Sequence, residues 1–154
     1  VVEKYIYAYD KAKNIISKED KKGTTSYKYD SLNRLTKVTE PSGKTIEYTY
    51  DKEGNRYTET ETVGTTKTKS IYSYDSSNRL TGINQTINGV LSNTTAYTYD
   101  KNGNTLSKTI TSSSTGAKET NSYDILNQLT KVTTSKGTIS YADNGEGYRI
   151  YKKF

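Results

Sequence analysis

Tyrosines alternate with small or polar residues in a short motif that recurs along the chain. The motif is Tyr-x-Tyr-Asp, and its middle residue is Ala8, Lys28, Thr49, Ser73 or Thr98 in the intact copies. An alternation with a period of two places both rings on one face of a β-strand and the middle residue on the other. The pattern therefore predicts short strands with one buried face. No stretch shows a convincing helical period.

The motif occurs seven times, and the last two copies are decayed. The sixth copy is Asn121-Ser122-Tyr123-Asp124 and the seventh is Tyr141-Ala142-Asp143-Asn144. The copies begin near residues 7, 27, 48, 72, 97, 121 and 141. The motif residues are Tyr7, Tyr9, Asp10, Tyr27, Tyr29, Asp30, Tyr48, Tyr50, Asp51, Tyr72, Tyr74, Asp75, Tyr97, Tyr99, Asp100, Tyr123, Asp124 and Tyr141. A repeat that fills the chain predicts a single repeat domain over residues 1–154.

A second regular spacing divides the copies into two alternating types. Six residues after each start there is a glycine in odd-numbered copies and an asparagine in even-numbered copies, except in copy one. These residues are Gly54, Gly103 and Gly147, then Asn33, Asn78 and Asn127, with Lys13 in copy one. Glycine and asparagine tolerate a positive φ, and the Asp before them can cap a turn through its side chain. We therefore expect a tight turn at this point of every repeat.

Each repeat is predicted to contain two antiparallel strands and two turns. A second strand, such as residues 35–39, follows the first turn, and a further glycine separates it from the next motif. These glycines are Gly23, Gly43, Gly64, Gly89, Gly116 and Gly137. One repeat cannot bury its tyrosine face alone, so successive copies must pair side by side. The sequence thus predicts an all-β fold of tandem antiparallel hairpins, in a sheet that curls or spirals because long sheets twist.

Composition supports this fold and excludes several kinds of chemistry. Only 25 of the 154 residues are Val, Ile, Leu or Phe, so we expect the 16 tyrosines to build the core. The chain has no Cys and no His, which excludes disulfides, thiolate or imidazole metal sites and histidine-based catalysis. No apolar run is long enough to span a membrane. Because the chain starts with Val1 and not Met, we expect a piece of a longer protein.

The repeated motifs resemble YD repeats, also called RHS repeats. Tyr-Asp-Ser-Leu-Asn-Arg-Leu at 29–35, Tyr-Asp-Ser-Ser-Asn-Arg-Leu at 74–80 and Tyr-Asp-Lys-Glu-Gly-Asn-Arg at 50–56 are similar to the family consensus. The resemblance covers roughly residues 5–151. It implies a large secreted or surface protein, as in bacterial Rhs polymorphic toxins, wall-associated proteins, the shell of Tc toxin complexes and teneurins. It also implies a long antiparallel sheet that winds in a spiral and can close into a non-catalytic shell around a C-terminal toxin.

Two features depart from the family pattern. Seven repeats are far fewer than a family shell contains, so they would form only a fraction of one. The proline-rich segment that plugs such shells has no counterpart, since the one proline lies in Glu40-Pro41-Ser42-Gly43. The resemblance thus predicts a structural segment of a bacterial extracellular or surface protein, without cofactor or enzyme activity. The alternative is a carbohydrate-binding or adhesive surface module.

The partners follow from the same resemblance. Neighbouring YD repeats of the parent chain are the expected partners, and a glycan or a second copy paired through the open edge strands are the alternatives. The net charge of +6 comes from scattered lysines, and no nucleic-acid motif accompanies it, so we expect no nucleic acid to bind.

Tyr5, Tyr57, Tyr148 and Tyr151 lie outside the motif, and we expect them to be exposed.

Acidic residues invite two functional interpretations, and a structural one is favoured in both cases. The segment 100–104 faintly resembles a calcium loop, but it lacks the acids and the bidentate Glu that such a loop needs. Asp100 and its counterparts are therefore predicted to cap turns. Glu59 and Glu61 share a strand face, but nothing predicts the cleft that a glycosidase pair requires. They are predicted to face solvent with lysine partners.

Overall fold

The structure is a computed structural model, and it describes residues 4–112 and 116–154 of the chain. All regular structure in these residues is β-strand. The strands are β1 (Ile6–Tyr9), β2 (Ile15–Asp20), β3 (Gly23–Tyr29), β4 (Leu35–Thr39), β5 (Thr45–Tyr50), β6 (Arg56–Val63), β7 (Thr66–Tyr74), β8 (Leu80–Ile87), β9 (Val90–Tyr99), β10 (Thr105–Ser112), β11 (Gly116–Tyr123), β12 (Leu129–Thr134), β13 (Gly137–Asp143) and β14 (Arg149–Lys153). The predicted all-β class is confirmed.

The order of the strands in the 14-stranded sheet is their order in the chain. Every strand pair whose register the structure describes is antiparallel, so the predicted tandem hairpins are also confirmed. The chain packs into two compact units. Unit 1 comprises Val1–Tyr72 and Gln85–Leu91, and unit 2 comprises Ser73–Asn84 and Ser92–Phe154. The single domain over residues 1–154 stays a prediction.

The two faces of the strands differ in the way that the alternation predicts. In β5 of unit 1, Tyr48 and Tyr50 are half-buried, whereas Thr49 between them is exposed. In β9 of unit 2, Tyr97 and Tyr99 are half-buried around the exposed Thr98. Each intact motif therefore contributes two rings to one face of the sheet, which we call the tyrosine face.

Burial on the tyrosine face is shallower than the sequence predicts. No apolar residue is buried in residues 4–112 and 116–154, and the buried residues there are Thr58, Thr60 and Ser70. The tyrosine core that composition predicts is therefore wrong, and the rings instead form a half-buried face. The physical reason is that the rings lie on one face of a sheet, where neighbouring side chains cover them only from the sides, and full burial requires a second layer packed on that face.

A turn with one residue at positive φ follows the first strand of every repeat. The value of φ at this residue is 59° at Asn33 and 90° at Gly54, and it is 67° at Lys13, where neither Gly nor Asn is present. The register shifts by one residue beside each of these turns where the pairing is described, for example between Lys28 and Tyr29. The turn and the extra residue together set the pairing of the two strands.

Lys13 is strained, and this leads to a first prediction. A residue with a side chain, other than asparagine, costs about 1 kcal/mol of conformational free energy in the left-handed region, whereas glycine has no Cβ and adopts it freely. We therefore expect Lys13→Gly to raise the free energy of unfolding by about 1 kcal/mol, measured by urea denaturation. Lys11→Gly, two residues earlier in the same turn, is the control and should be neutral or slightly destabilising. An equal gain in both variants would contradict the strain at position 13.

Candidate functional site at the repeat junctions

The Asp of each motif organises the turn that follows it. The Oδ1 atom of Asp30 accepts hydrogen bonds from the backbone N–H groups of Leu32 and Arg34, both at 2.9 Å. Its Oδ2 atom accepts a hydrogen bond from Nε of Arg34 at 2.7 Å, and its carbonyl accepts one from the N–H of Asn33 at 3.0 Å. Both oxygen atoms of the carboxylate thus accept hydrogen bonds from its own turn.

The same arrangement recurs in the other copies. Asp75 bonds to the backbone and to Nε of Arg79, and Asp100 bonds to the backbone and to Nδ2 of Asn104. In the seventh copy Asn144 replaces the Asp, and its Oδ1 atom accepts from the N–H of Tyr148 at 2.9 Å. No cluster of metal-binding side chains occurs in the part of the chain that the structure describes.

These hydrogen bonds lower the pKa values of four turn carboxyls. The pKa of Asp30 and of Asp75 is lowered chiefly by the backbone N–H of Arg34 and of Arg79 respectively. The pKa of Asp10 and of Asp100 is lowered chiefly by the side-chain amides of Asn14 and Asn104. In each case the folded chain favours the ionised carboxylate.

A pH dependence of stability follows from these shifts. A carboxyl whose pKa is lower in the folded state stabilises the fold above its unfolded pKa of about 3.9, and this stabilisation is lost as the pH falls through the folded value. We therefore expect the urea midpoint to be constant near neutral pH and to fall below about pH 4. The double variant Asp30→Asn with Asp75→Asn should show a shallower fall. An identical acid profile in the two proteins would contradict the assignment.

The second tyrosine of a motif connects its repeat to the preceding one. The hydroxyl of Tyr29 donates to the carbonyl of Ile15 at 2.9 Å, and that of Tyr50 donates to the carbonyl of Leu35 at 2.6 Å. In unit 2, Tyr99 donates to Leu80 at 2.7 Å and Tyr123 donates to Thr105 at 3.0 Å. Each acceptor lies at the start of the second strand of the earlier repeat. Burial raises the pKa of Tyr29 and of Tyr99, so the phenols remain protonated donors.

Contacts between adjacent turns depend on the order of the two repeat types. From an even-numbered copy to its successor, the guanidinium of Arg34 stacks 4.5 Å from the centre of the Tyr50 ring. Arg79 lies 4.9 Å from the Tyr99 ring in the same way and also donates to the carbonyl of Asp100. The guanidiniums thus use the ring faces as cation–π partners.

From an odd-numbered copy to its successor, asparagines replace the arginine contact. Nδ2 of Asn14 donates to Oδ1 of Asn33 at 2.8 Å, and Nδ2 of Asn104 donates to Oδ1 of Asn127 at 2.8 Å. The asparagines of even-numbered copies therefore do more than adopt a positive φ, because their side chains accept hydrogen bonds from the previous turn. Glycine could not do this.

The first tyrosine of each motif faces a residue whose character also alternates. In the strand register, Tyr27 lies opposite Val38, whereas Tyr48 lies opposite Glu59 and Tyr97 opposite Lys108. Sequence analysis missed this alternation, although the residue eleven positions after each start carries the signal. That residue is Lys18, Glu59, Lys108 or Lys152 in odd-numbered copies and Val38, Ile83 or Val132 in even-numbered copies.

The decayed sixth copy preserves part of the junction. Asn121 occupies the position of the first tyrosine, and its Nδ2 donates to the carbonyl of Thr105, which also accepts from the hydroxyl of Tyr123. The Oδ1 atom of Asn121 is buried and has no hydrogen-bond partner among the residues described. In the seventh copy, Asp143 occupies the position of the second tyrosine and forms a salt bridge with Arg149 at 3.2 Å.

The acidic pair on β6 agrees with the sequence prediction only in part, because both side chains are half-buried and the partner of Glu59 is an arginine and not a lysine. Glu59 forms a salt bridge with Arg56 and Glu61 with Lys44, both at 2.8 Å, so neither carboxylate is available as a free acid or base. The four tyrosines outside the motif are exposed: Tyr5, Tyr57, Tyr148 and Tyr151. Across residues 4–112 and 116–154 there is no helix that could cross a membrane.

Comparisons with known proteins identify the repeat and the fold. The family model described as RHS Repeat matches residues 9–45 and 29–67. The curated proteins contain no significant sequence match. Among solved structures, the Photorhabdus luminescens Tc holotoxin pore with a TccC3 mutation superposes with a TM-score of 0.68 at 14% identity, over 91% of this chain and 10% of that chain.

Two further structures agree with this result. The chain in the TcdB2-TccC3-TEV crystal structure gives a TM-score of 0.63 at 16% identity, over 92% of this chain and 10% of that chain. The chain in the TcdB2-TccC3-Cdc42 crystal structure gives 0.60 at 17% identity, over 98% of this chain and 11% of that chain. This chain therefore spans about a tenth of the length of the solved chains that it matches, and at these identities the likeness concerns the fold.

Proposed function

We propose that this chain, which belongs to the RHS-repeat or YD-repeat family, is a structural segment in the wall of a β-sheet shell. The parent would be a large secreted or cell-surface bacterial protein, and the shell would enclose a toxin. The observation that carries the proposal is the chain of junction contacts from repeat to repeat. Four junctions use a tyrosine hydroxyl and a backbone carbonyl in the same way, so a wall of such repeats can be extended by further copies.

The terminal strands support neighbouring repeats as the partners. All four residues of β1 and all five of β14 are exposed. The side chain of Tyr9 is 57% exposed, whereas Tyr29 and Tyr50, its counterparts in the next copies, are half-buried by the preceding repeat. A further repeat paired with β1 would bury Tyr9 and offer its hydroxyl a carbonyl acceptor.

A non-catalytic role agrees with how the acidic groups are used. The turn carboxylates bind their own backbone, and Glu59 and Glu61 are held in salt bridges. Catalytic acids and bases instead need free groups that converge on a substrate. The chain's contribution to an enclosed toxin would thus be mechanical, as one part of a container.

Electron cryo-microscopy of the full-length protein that contains this segment tests the proposal. We expect residues 6–153 to form part of the wall of a hollow sheet, with additional strands paired to both β1 and β14. Full-length protein in which β1 and β14 both remain unpaired edges would overturn the proposal. Fractionation of the producing cells, with the segment detected by an antibody, tests the proposed export separately.

Glycan binding stays the alternative function, and no contact among the described residues favours it. The exposed tyrosines Tyr5, Tyr57, Tyr148 and Tyr151 would supply the stacking surfaces. A glycan array probed with the 154-residue chain decides this alternative, since a specific signal that is lost on Tyr148→Ala would revive it.

Self-association through β1 and β14 is tested by light scattering, where a mass independent of concentration would reject it.

A further inference from the structure

The ring of Tyr9 lacks a contact that its counterparts make with the preceding repeat. Arg34 of copy two stacks 4.5 Å from the centre of the Tyr50 ring in copy three, and Arg79 of copy four stacks 4.9 Å from the Tyr99 ring in copy five. Tyr9 is the corresponding tyrosine of copy one, which is also odd-numbered. It is 57% exposed, and no guanidinium of the described chain lies over its ring. Tyr9 therefore leaves open the ring face that an arginine covers in copies three and five.

The arginine and the ring are present together or absent together at the junctions that follow even-numbered copies. In copy six Gln128 takes the place of Arg34, and in copy seven Asp143 takes the place of the second tyrosine. The junction that lacks the ring thus also lacks the arginine. Where the arginine is present, its own turn holds it, since Nε of Arg34 donates to Oδ2 of Asp30 at 2.7 Å. A second tyrosine in an odd-numbered copy therefore indicates an arginine in the copy before it.

Lys13 disfavours a preceding repeat of the odd type. An odd-numbered copy donates the side-chain amide of an asparagine to the asparagine of the next turn, as Asn14 does to Asn33 at 2.8 Å. In copy one the acceptor position is Lys13, whose ammonium group donates hydrogen bonds but does not accept them. A repeat of the even type is not hindered. A Cβ atom added at Gly54 or Gly103, the corresponding positions after an even-numbered copy, would meet no atom within 4 Å, so the side chain of Lys13 has room there.

We propose that β1 pairs with a repeat of the even type, which has the Asn-Arg pair that copy two has at Asn33 and Arg34. The guanidinium of that repeat stacks on the ring of Tyr9. The carbonyl of its next residue accepts the hydroxyl of Tyr9, as Leu35 accepts that of Tyr50. This pairing rests on the proposed function, which makes neighbouring repeats the partners, and it adds the type of repeat that β1 accepts.

A second copy of this chain would not supply such a partner. Its other edge strand, β14, belongs to copy seven, in which Gly147 and Tyr148 take the places of the Asn and the Arg. Arg149 follows them, but it stacks within its own repeat, 4.1 Å from the centre of the Tyr141 ring. Pairing of β14 with the β1 strand of another molecule would therefore bring no free guanidinium to Tyr9.

Two extended chains test the type of repeat that β1 accepts. In the first chain, residues 23–46 replace residues 1–5, so that the strands of copy two precede Ile6. In the second chain, residues 45–70 replace the same five residues, so that the strands of copy three, an odd-numbered copy, precede Ile6. Both chains keep the whole of β1 and differ in the type of the added repeat.

Hydrogen–deuterium exchange measures how firmly the added repeat holds β1. We expect the amides of residues 6–9 to exchange about tenfold more slowly in the second chain than in the 154-residue chain, because both types of repeat pair with the backbone of the edge strand. In the first chain they should exchange about fivefold more slowly again, because the arginine of the added repeat also stacks on Tyr9.

Single substitutions assign this difference to the arginine and the ring. Arg34→Gln in the added segment of the first chain should abolish the fivefold difference, and Tyr9→Leu should do the same. Lys28→Gln in the same segment removes an equal charge from an exposed position on the other face of β3 and should leave the difference unchanged. Equal protection in the two extended chains would overturn the pairing with an even-type repeat and leave the proposed wall of repeats standing. No gain in either chain would overturn both.

Discussion

Replacing Tyr48 and Tyr50 together with alanine is expected to lower the free energy of unfolding by about 4 kcal/mol. Both rings are half-buried on the tyrosine face. The change removes the hydrogen bond from the Tyr50 hydroxyl to the Leu35 carbonyl and the stacking of Arg34 on Tyr50. It also removes the ring on which Arg56 stacks at 4.6 Å. Urea denaturation followed by circular dichroism measures the loss.

Two companion variants divide this effect into its parts. Tyr50→Phe keeps the ring and removes only the hydroxyl, so it should cost about 1 kcal/mol and isolates the hydrogen bond to Leu35. Tyr5→Ala with Tyr57→Ala removes two rings of the same size that are about half exposed, and it should cost clearly less. If the Tyr48 and Tyr50 variant unfolds at the same urea concentration as the wild type, the tyrosine face does not hold the repeats together.

The next largest effect is expected at the turn after β5. Asp51 accepts hydrogen bonds from the backbone N–H of Asn55 at 2.7 Å and from its Nδ2 atom at 3.2 Å. Asp51→Ala leaves that N–H without its acceptor, and we expect a loss of about 2 kcal/mol in the free energy of unfolding. The variant should therefore unfold faster than the wild type and at a lower urea midpoint.

The neighbouring residues provide sharp controls for Asp51. Asp51→Asn keeps an acceptor oxygen in place and should recover more than half of the loss. Glu53→Ala changes an exposed acid in the same turn and should change stability by less than about 0.5 kcal/mol. A loss for Glu53→Ala as large as that for Asp51→Ala would show that net charge, and not turn capping, matters at this site.

Much of the fold could be predicted because its signals are local. The period of two in the motif indicates strands, and the Gly or Asn six residues after each start indicates the positive φ that Asn33 and Gly54 adopt. The repeat length then limits each copy to two strands and two turns. Lys13 shows how strong the context is, since it takes the same conformation without the usual residue type.

The junctions could not be predicted because they depend on which residues lie side by side in the sheet. The Tyr50 hydroxyl binds a backbone carbonyl, and a carbonyl leaves no trace in the sequence. The contact from Asn14 to Asn33 requires that two turns 19 residues apart lie next to each other. The predicted depth of burial is wrong for a related reason, since composition counts apolar area without showing how many sides of each ring are covered.

The alternation of two repeat types has a consequence for how genes of this kind change in length. Even-numbered copies two and four contact their successors through an arginine and a ring, as Arg34 contacts Tyr50, whereas odd-numbered copies one and five do so through two asparagines, as Asn14 contacts Asn33. Unequal crossing-over that inserts or deletes one copy would join two copies of the same type and break this alternation. Insertion or deletion of two adjacent copies at once would keep the alternation of the two types. We therefore expect inherited changes in copy number to occur in pairs.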